Sequence, residues 1–139
     1  MSNEGIHTDK AAVPVGRYPH ARKAGNLLFL SGIGPRTAGS GEIPGLAQDK
    51  NGNFTTFDFE AQVHSVFTNV KAVLEASGAQ WEDMVDVTVF LVNMQRDFNA
   101  FNAIWASYFP ENGPCRTTVS ITALPTPIAI ELKCTAYIG

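Results

Sequence analysis

Arg116 and Glu131 are two charges that a burial pattern alone would not have chosen. Both lie in GPCRTTVSITALPTPIAIELKCTA, which reads as two apolar-rich strands joined by the turn-like ALPTP. An arginine's planar fork clamps a carboxylate through two donors. A glutamate held near that carboxylate can place a water or protonate a leaving group. A second reading stands beside this one: a structural ion pair between neighbouring strands. Alternation sets Glu131, Lys133 and Thr135 on one face of the last strand, opposite Ile130, Leu132 and Cys134, so Glu131 also fits a solvent-facing position beside Lys133.

Other groups offer weaker patterns. SGIGPRTAGSG supplies Gly32 and Gly34, but Thr37 occupies the third position of GxGxxG and Pro35 intervenes, so turn glycines explain it better than a phosphate loop. His7, His20 and His64 are scattered and no Cys/His ligand spacing occurs, so no metal site is expected. His64 reads as a surface residue. His20, within RYPHAR, has basic neighbours and is a candidate to line an anion site, against the plainer reading of a solvated strand position. Cys115 beside Arg116 has a cation that favours thiolate, yet no histidine lies nearby in sequence to act as base, and an inert cysteine is the better reading. Ser31 lacks the GxSxG context of a nucleophile elbow and reads as a strand-end hydroxyl.

The elements that must position these residues follow from periodicity. Residues 1–15 read as an arm or a first short strand. GRYPHARKAG and LLFLSG flank Gly25-Asn26 as an early hairpin. Pro35 to Thr56 is dense in Gly, Asn and Pro, with a tight-turn signal at Asn51-Gly52; a loop this long is often functional. Val63, Val66, Phe67, Val70, Val73 and Leu74 predict a helix from about Asp58 to Ser77, capped by Thr56 or Asp58 and ended by Gly78. MVDVTVFLV predicts a strand mostly buried on both faces. DFNAFNAIWASYF repeats Phe98, Phe101, Trp105 and Phe109 at helical spacing before Pro110. The order ββ-α-β-α-ββ is an α+β pattern: one mainly antiparallel sheet with two helices on one face. The other face then needs a neighbouring subunit.

The chain of 139 residues suits one domain, residues 1–139. Its net charge of -3 and its lack of a basic cluster argue against nucleic-acid binding. The N-terminus lacks the apolar core of a signal peptide, and no run approaches a membrane span. The two cysteines form no CxxC pair, so a cytoplasmic location with reduced thiols is expected.

The residues also resemble a known family, the YjgF/RidA enamine/imine deaminases, over nearly the whole chain. Arg116-Thr117-Thr118-Val119 and Ile130-Glu131 reproduce the family's arginine before a strand and its Ile-Glu in the closing strand, at the family's spacing. Gly16-Arg17-Tyr18 resembles the N-terminal Gly-Pro-Tyr, Ser31-Gly32 the Ser-Gly at the end of the second strand, and Asn102 the asparagine of the second helix. The resemblance implies a chorismate-mutase-like fold, packed as a homotrimer with a cleft at each subunit interface and no metal or organic cofactor. It implies that Arg116 binds the α-carboxylate of a 2-imino acid, that a water poised near Glu131 and the backbone around Thr118 attacks the imine carbon, and that Tyr18 is an active-site tyrosine.

Two departures narrow the expectation. Thr118 stands where many members active on 2-aminoacrylate have a cysteine, with Cys115 before the arginine instead, and the 35–56 loop is longer than in short members. Both look similar to bacterial 2-aminomuconate deaminases of aromatic degradation, so hydrolysis of 2-aminomuconate to 4-oxalocrotonate and ammonia is the expected reaction. That substrate is a dicarboxylate, and Arg17, His20 and Arg36 are candidates to meet its distal carboxylate. The alternatives are a general 2-imino acid deaminase, a non-catalytic ligand-binding trimer and, by fold analogy alone, a chorismate-mutase-type isomerase.

Overall fold

The chain is described by a computed structural model over residues 5–52 and 54–139. Residues 1–4 and 53, where part of the N-terminal arm and part of the long loop are expected, lie outside the described residues. The strands are β1 (Gly5–Ile6), β2 (Ala21–Ala24), β3 (Leu27–Leu30), β4 (Leu46–Gln48), β5 (Phe54–Phe57), β6 (Met84–Leu91), β7 (Cys115–Ser120) and β8 (Ile130–Tyr137). The helices are α1 (Phe59–Ala76), between β5 and β6, and α2 (Met94–Tyr108), between β6 and β7.

Local chemistry sets the helix boundaries. Asp58 caps α1 by accepting from the Ala61 amide at 3.1 Å. At its other end Gly78 takes a φ of 78°, and the amides of Gly78 and Ala79 close back onto Glu75 and Leu74. Helix α2 begins three residues before the aromatic repeat suggests, because Asn93 accepts from the Arg96 amide at 3.0 Å. Gly25 turns the β2–β3 hairpin at a φ of 60°, as a two-residue primed turn requires. The long loop is only partly irregular: β4 and β5 pair within it as a separate ribbon, turning where Gly52 donates to Asp49.

The main sheet runs β1-β2-β3-β8-β6-β7, and its pairs are antiparallel except β6 with β7. Helix α2 carries the chain back across the sheet between those two strands, as a parallel pair demands. Both helices pack on one face. There Val63, Val66, Phe67, Val70 and Leu74 of α1 meet Val87, Val89 and Leu91 of β6 and Leu132 and Cys134 of β8. Phe67 sits within a cluster of Trp81, Trp105, Tyr108 and Phe109 rings, with centroids 4.3–6.3 Å away.

The expectation that β6 is buried on both faces is corrected. Thr88 and Phe90, on the face away from the helices, are only half-buried. Directly opposed residues of paired strands share a face, so this open face also carries Glu131, Lys133 and Thr135 of β8 and Phe29 of β3. Among the described residues no helix is long and apolar enough to cross a membrane.

Candidate active site in two halves

Arg116 and Glu131 are not neighbours. Strand β6 lies between β7 and β8, so the expected ion pair between adjacent strands is corrected. Register separates them further: Arg116 opposes Val87, whereas Glu131 opposes Phe90. They stand two strand spacings apart, about 10 Å, and about three residues apart along the strands, another ~10 Å. They also point to opposite faces. Arg116 follows Val87 towards the helices, and Glu131 follows Phe90 to the open side.

The first half lies at the β7 edge of the sheet. The Arg116 guanidinium donates from Nη2 to Asn102 Oδ1 at 2.6 Å. It also lies 5.9, 5.3 and 5.1 Å from the ring centroids of Phe98, Phe101 and Trp105, all on α2. Partial burial lowers its pKa from the usual arginine value, yet an arginine remains cationic at any ordinary pH. The aromatic repeat of α2 therefore supplies more than core: its faces and Asn102 hold one cation in place. Thr118, two residues on, shares this face, and its buried hydroxyl oxygen has no hydrogen-bond partner among the described residues.

The second half is a cleft with about 530 Å³ of empty space, its open mouth included. Tyr18, Ser31, Gly32 and Glu131 line it, together with Arg36 and Asn69. Burial pushes the Glu131 carboxyl above the usual carboxylate range. Gly32 is what lets that carboxyl lie against the backbone. The Ser31 hydroxyl donates to Pro19 O at 2.7 Å, which ties the end of β3 to the segment carrying Tyr18. Tyr18 lines the cleft and is 39% exposed.

Of the three candidates for a distal carboxylate, two sit differently from expectation. His20 is 7% exposed rather than solvated. Its Nδ1 accepts from the Thr8 amide at 3.3 Å and its Nε2 donates to Ala12 O at 2.9 Å. That neutral tautomer leaves no N–H for an anion, so His20 shapes the cleft wall without binding an anion there. Arg17 is exposed and does not line the cleft. Arg36 does line it. His64 is exposed, with Nδ1 2.6 Å from the Tyr108 hydroxyl. Cys115 is exposed and free; Cys134 is buried, its pKa pushed up to about 12 by desolvation, and inert. Among the described residues no cluster of three His, Cys, Asp or Glu side chains forms a metal site.

Asn69 was missed by sequence reasoning. It is 3% exposed in α1 and donates to both Gly34 O (3.0 Å) and Arg36 O (2.7 Å). An amide in the middle of an apolar helical stripe was the available signal. The segment from Ala11 to Val15, which walls the cleft, carried no pattern at all.

The family model for Endoribonuclease L-PSP matches residues 8–138. The chain belongs to the YjgF/RidA family. It is 38% identical over 134 residues to a RutC family protein of Pyrococcus horikoshii, covering 96% of this chain and 97% of that protein. It is 37% identical over 136 residues to the chloroplastic Reactive Intermediate Deaminase A of Arabidopsis thaliana, covering 98% of this chain and 66% of the plant protein. Among solved structures, RidA from the Antarctic bacterium Psychrobacter sp. superposes with a TM-score of 0.83 at 32% identity, covering 97% of this chain and 99% of that one. E. coli TdcF with bound serine gives 0.83 at 27% identity, covering 98% and 99%.

Proposed function

We propose that this YjgF/RidA member is a cofactor-independent enamine/imine deaminase whose site is completed between two copies of the chain in a homotrimer. The observation that carries this reading is the division of the site. One half has a held, partly desolvated cation with no carboxylate partner among the described residues, and the other has a cleft with a half-buried acid whose charged form is disfavoured. Arg116 and Glu131 cannot meet within one chain, but β7 of one copy can lie against the open sheet face of another. That face is apolar enough to need a cover: Leu27 is 38%, Phe29 39% and Tyr137 51% exposed.

In the joined site Arg116 takes the α-carboxylate of a 2-imino acid in its fork, with Asn102 and the three rings holding that fork in place. Glu131 holds the water that adds to the imine carbon. The C=N π bond opens as the C–O bond forms, giving a carbinolamine. Proton transfer to nitrogen then lets the C–N bond break, leaving a 2-oxo acid and ammonia. An enamine substrate first takes a proton at carbon to become the imine. The reading is supported by the name of the Arabidopsis relative and by the serine, an α-amino carboxylate, bound in TdcF. The chain's acidity, with a net charge of -3, gives no support to an RNA substrate despite the name of the family model.

The finer reading is that the substrate is 2-aminomuconate, converted to 4-oxalocrotonate; Thr118 and the long 35–56 loop support it. Ammonia release from freshly generated 2-aminomuconate, compared with a 2-iminobutyrate-type substrate, is the test. Fast release from the first supports the specific deaminase and release from the second alone supports a general scavenger. Release from neither leaves a ligand-binding trimer.

A further inference from the structure

Arg36 is a cation with donors to spare, set on a rigid mount. Two α1 side chains one turn apart fix the backbone that carries it. Ser65 donates to Pro35 O at 2.7 Å, and Asn69 donates to Gly34 O and Arg36 O. From this mount the guanidinium reaches over the cleft and donates from Nη2 to Val13 O at 2.6 Å. That single bond uses one of five N–H groups, and no carboxylate pairs with Arg36 among the described residues. His20 clasps the same segment one residue earlier, at Ala12 O. The two bonds hold 11–15 as the cleft's outer wall, and the other Arg36 N–H groups, on a side chain that lines the cleft, are left without a protein acceptor among the described residues.

The cleft therefore has an acid at one end, Glu131 against Gly32, and a second planar cation in its lining, with the apolar side chains of Ile33 and Ile128 also along its walls. We propose that Arg36 is the specificity-determining residue of this cleft, and that it selects an elongated dicarboxylate by binding the carboxylate distal to the reacting carbon. This rests on the deaminase reading for the position of the reacting end. It excludes His20 and Arg17 from the same role, because the first has no free N–H and the second lies off the cleft. A guanidinium fork favours the carboxylate here, since a methyl group in its place offers the two donors no acceptor.

The experiment is a calorimetric titration of the full-length protein with 2-oxoadipate and with 2-oxohexanoate, product-like 2-oxo acids of equal length that differ in the distal group. The wild-type protein is expected to prefer the dicarboxylate by about tenfold or more, the scale of one charge-assisted pair. Arg36→Gln should collapse the preference towards equality, and Arg36→Lys, which keeps the charge without the fork, should restore part of it. Equal affinities in the wild type, no binding of either acid, or a preference that survives Arg36→Gln overturns the proposal. So does a uniform loss of both ligands with the ratio intact, which would make Arg36 only a tether for Val13. The titration needs no turnover: a protein that binds the dicarboxylate through Arg36 yet releases no ammonia keeps this inference and loses the deaminase reading.

Discussion

The carboxyl of Glu131 occupies the space that a side chain at Gly32 would fill: a β-carbon added to Gly32 comes within 2.6 Å of Oε2 and 2.9 Å of Cδ. The absence of a side chain at one residue thus sets the position of the acid at another, across the β3–β8 border.

Gly32→Ala should therefore be a catalytic lesion more than a structural one. The clash falls on the far end of a flexible side chain, so Glu131 can swing away and stability should change by less than about 1 kcal/mol. Displacing the acid by about an ångström should lower kcat/KM roughly a hundredfold. Thermal melting alongside steady-state kinetics checks both. A variant with full activity would show that the carboxyl's position does not matter.

Glu131 also predicts a pH dependence of stability. Burial raises its pKa above the ordinary value of 4.5. Between 4.5 and the raised value the native chain holds a proton that the unfolded chain has released, so stability falls as pH rises through that window. Glu131→Gln removes this dependence. The variant should melt like the wild type at low pH and progressively higher than it as pH rises, levelling off above the shifted pKa. A difference running the other way would mean that a cation such as Arg116 of an adjoining copy outweighs the burial within one chain.

At the other half of the site, Arg116→Ala should cost at least the charge-assisted contact with a substrate carboxylate. That is roughly 1.5–3 kcal/mol, about tenfold to over a hundredfold in kcat/KM. Arg116→Lys should rescue little, because an ammonium has neither the two-donor fork nor the delocalised plane of a guanidinium. Asn102→Ala, which releases one side of the guanidinium, should fall between wild type and Arg116→Ala. A lysine variant near wild-type rate would remove the argument from planarity.

Phe67 is 1% exposed at the middle of the aromatic cluster that backs α2. Phe67→Ala should cost about 3–5 kcal/mol by opening a cavity there. An unchanged slope with a lowered midpoint in urea denaturation would show that stability alone has moved.

Much of this was legible in the sequence, for local reasons. The 3.6-residue stripe from Val63 to Leu74, the Asp58 cap and Gly78 fixed α1 almost to the residue. Gly25-Asn26 and the alternation around Glu131 marked strands correctly. What stayed hidden was set by long-range register. No periodicity says that β6 comes between β7 and β8 or which register the three strands take, and that register puts Arg116 and Glu131 on opposite faces. His20 looked solvated because its partners, Thr8 and Ala12, are backbone groups brought in by the path of the N-terminal segment. Of the expected site residues, Tyr18, His20, Ser31, Gly32, Arg36 and Glu131 line one cleft, while Asn102, Arg116 and Thr118 lie together at the β7 edge of the sheet.

That split makes the central claim testable by mixing two impaired proteins. Arg116→Ala and Glu131→Gln chains, co-expressed in equal amounts, would assemble at random. If every site takes its arginine from one copy and its glutamate from the next, about a quarter of the sites in a closed ring carry both native residues. Ammonia release should rise to about a quarter of the wild-type rate, above that of either variant alone. Mixed assemblies no more active than the separate variants would contradict a site shared between copies.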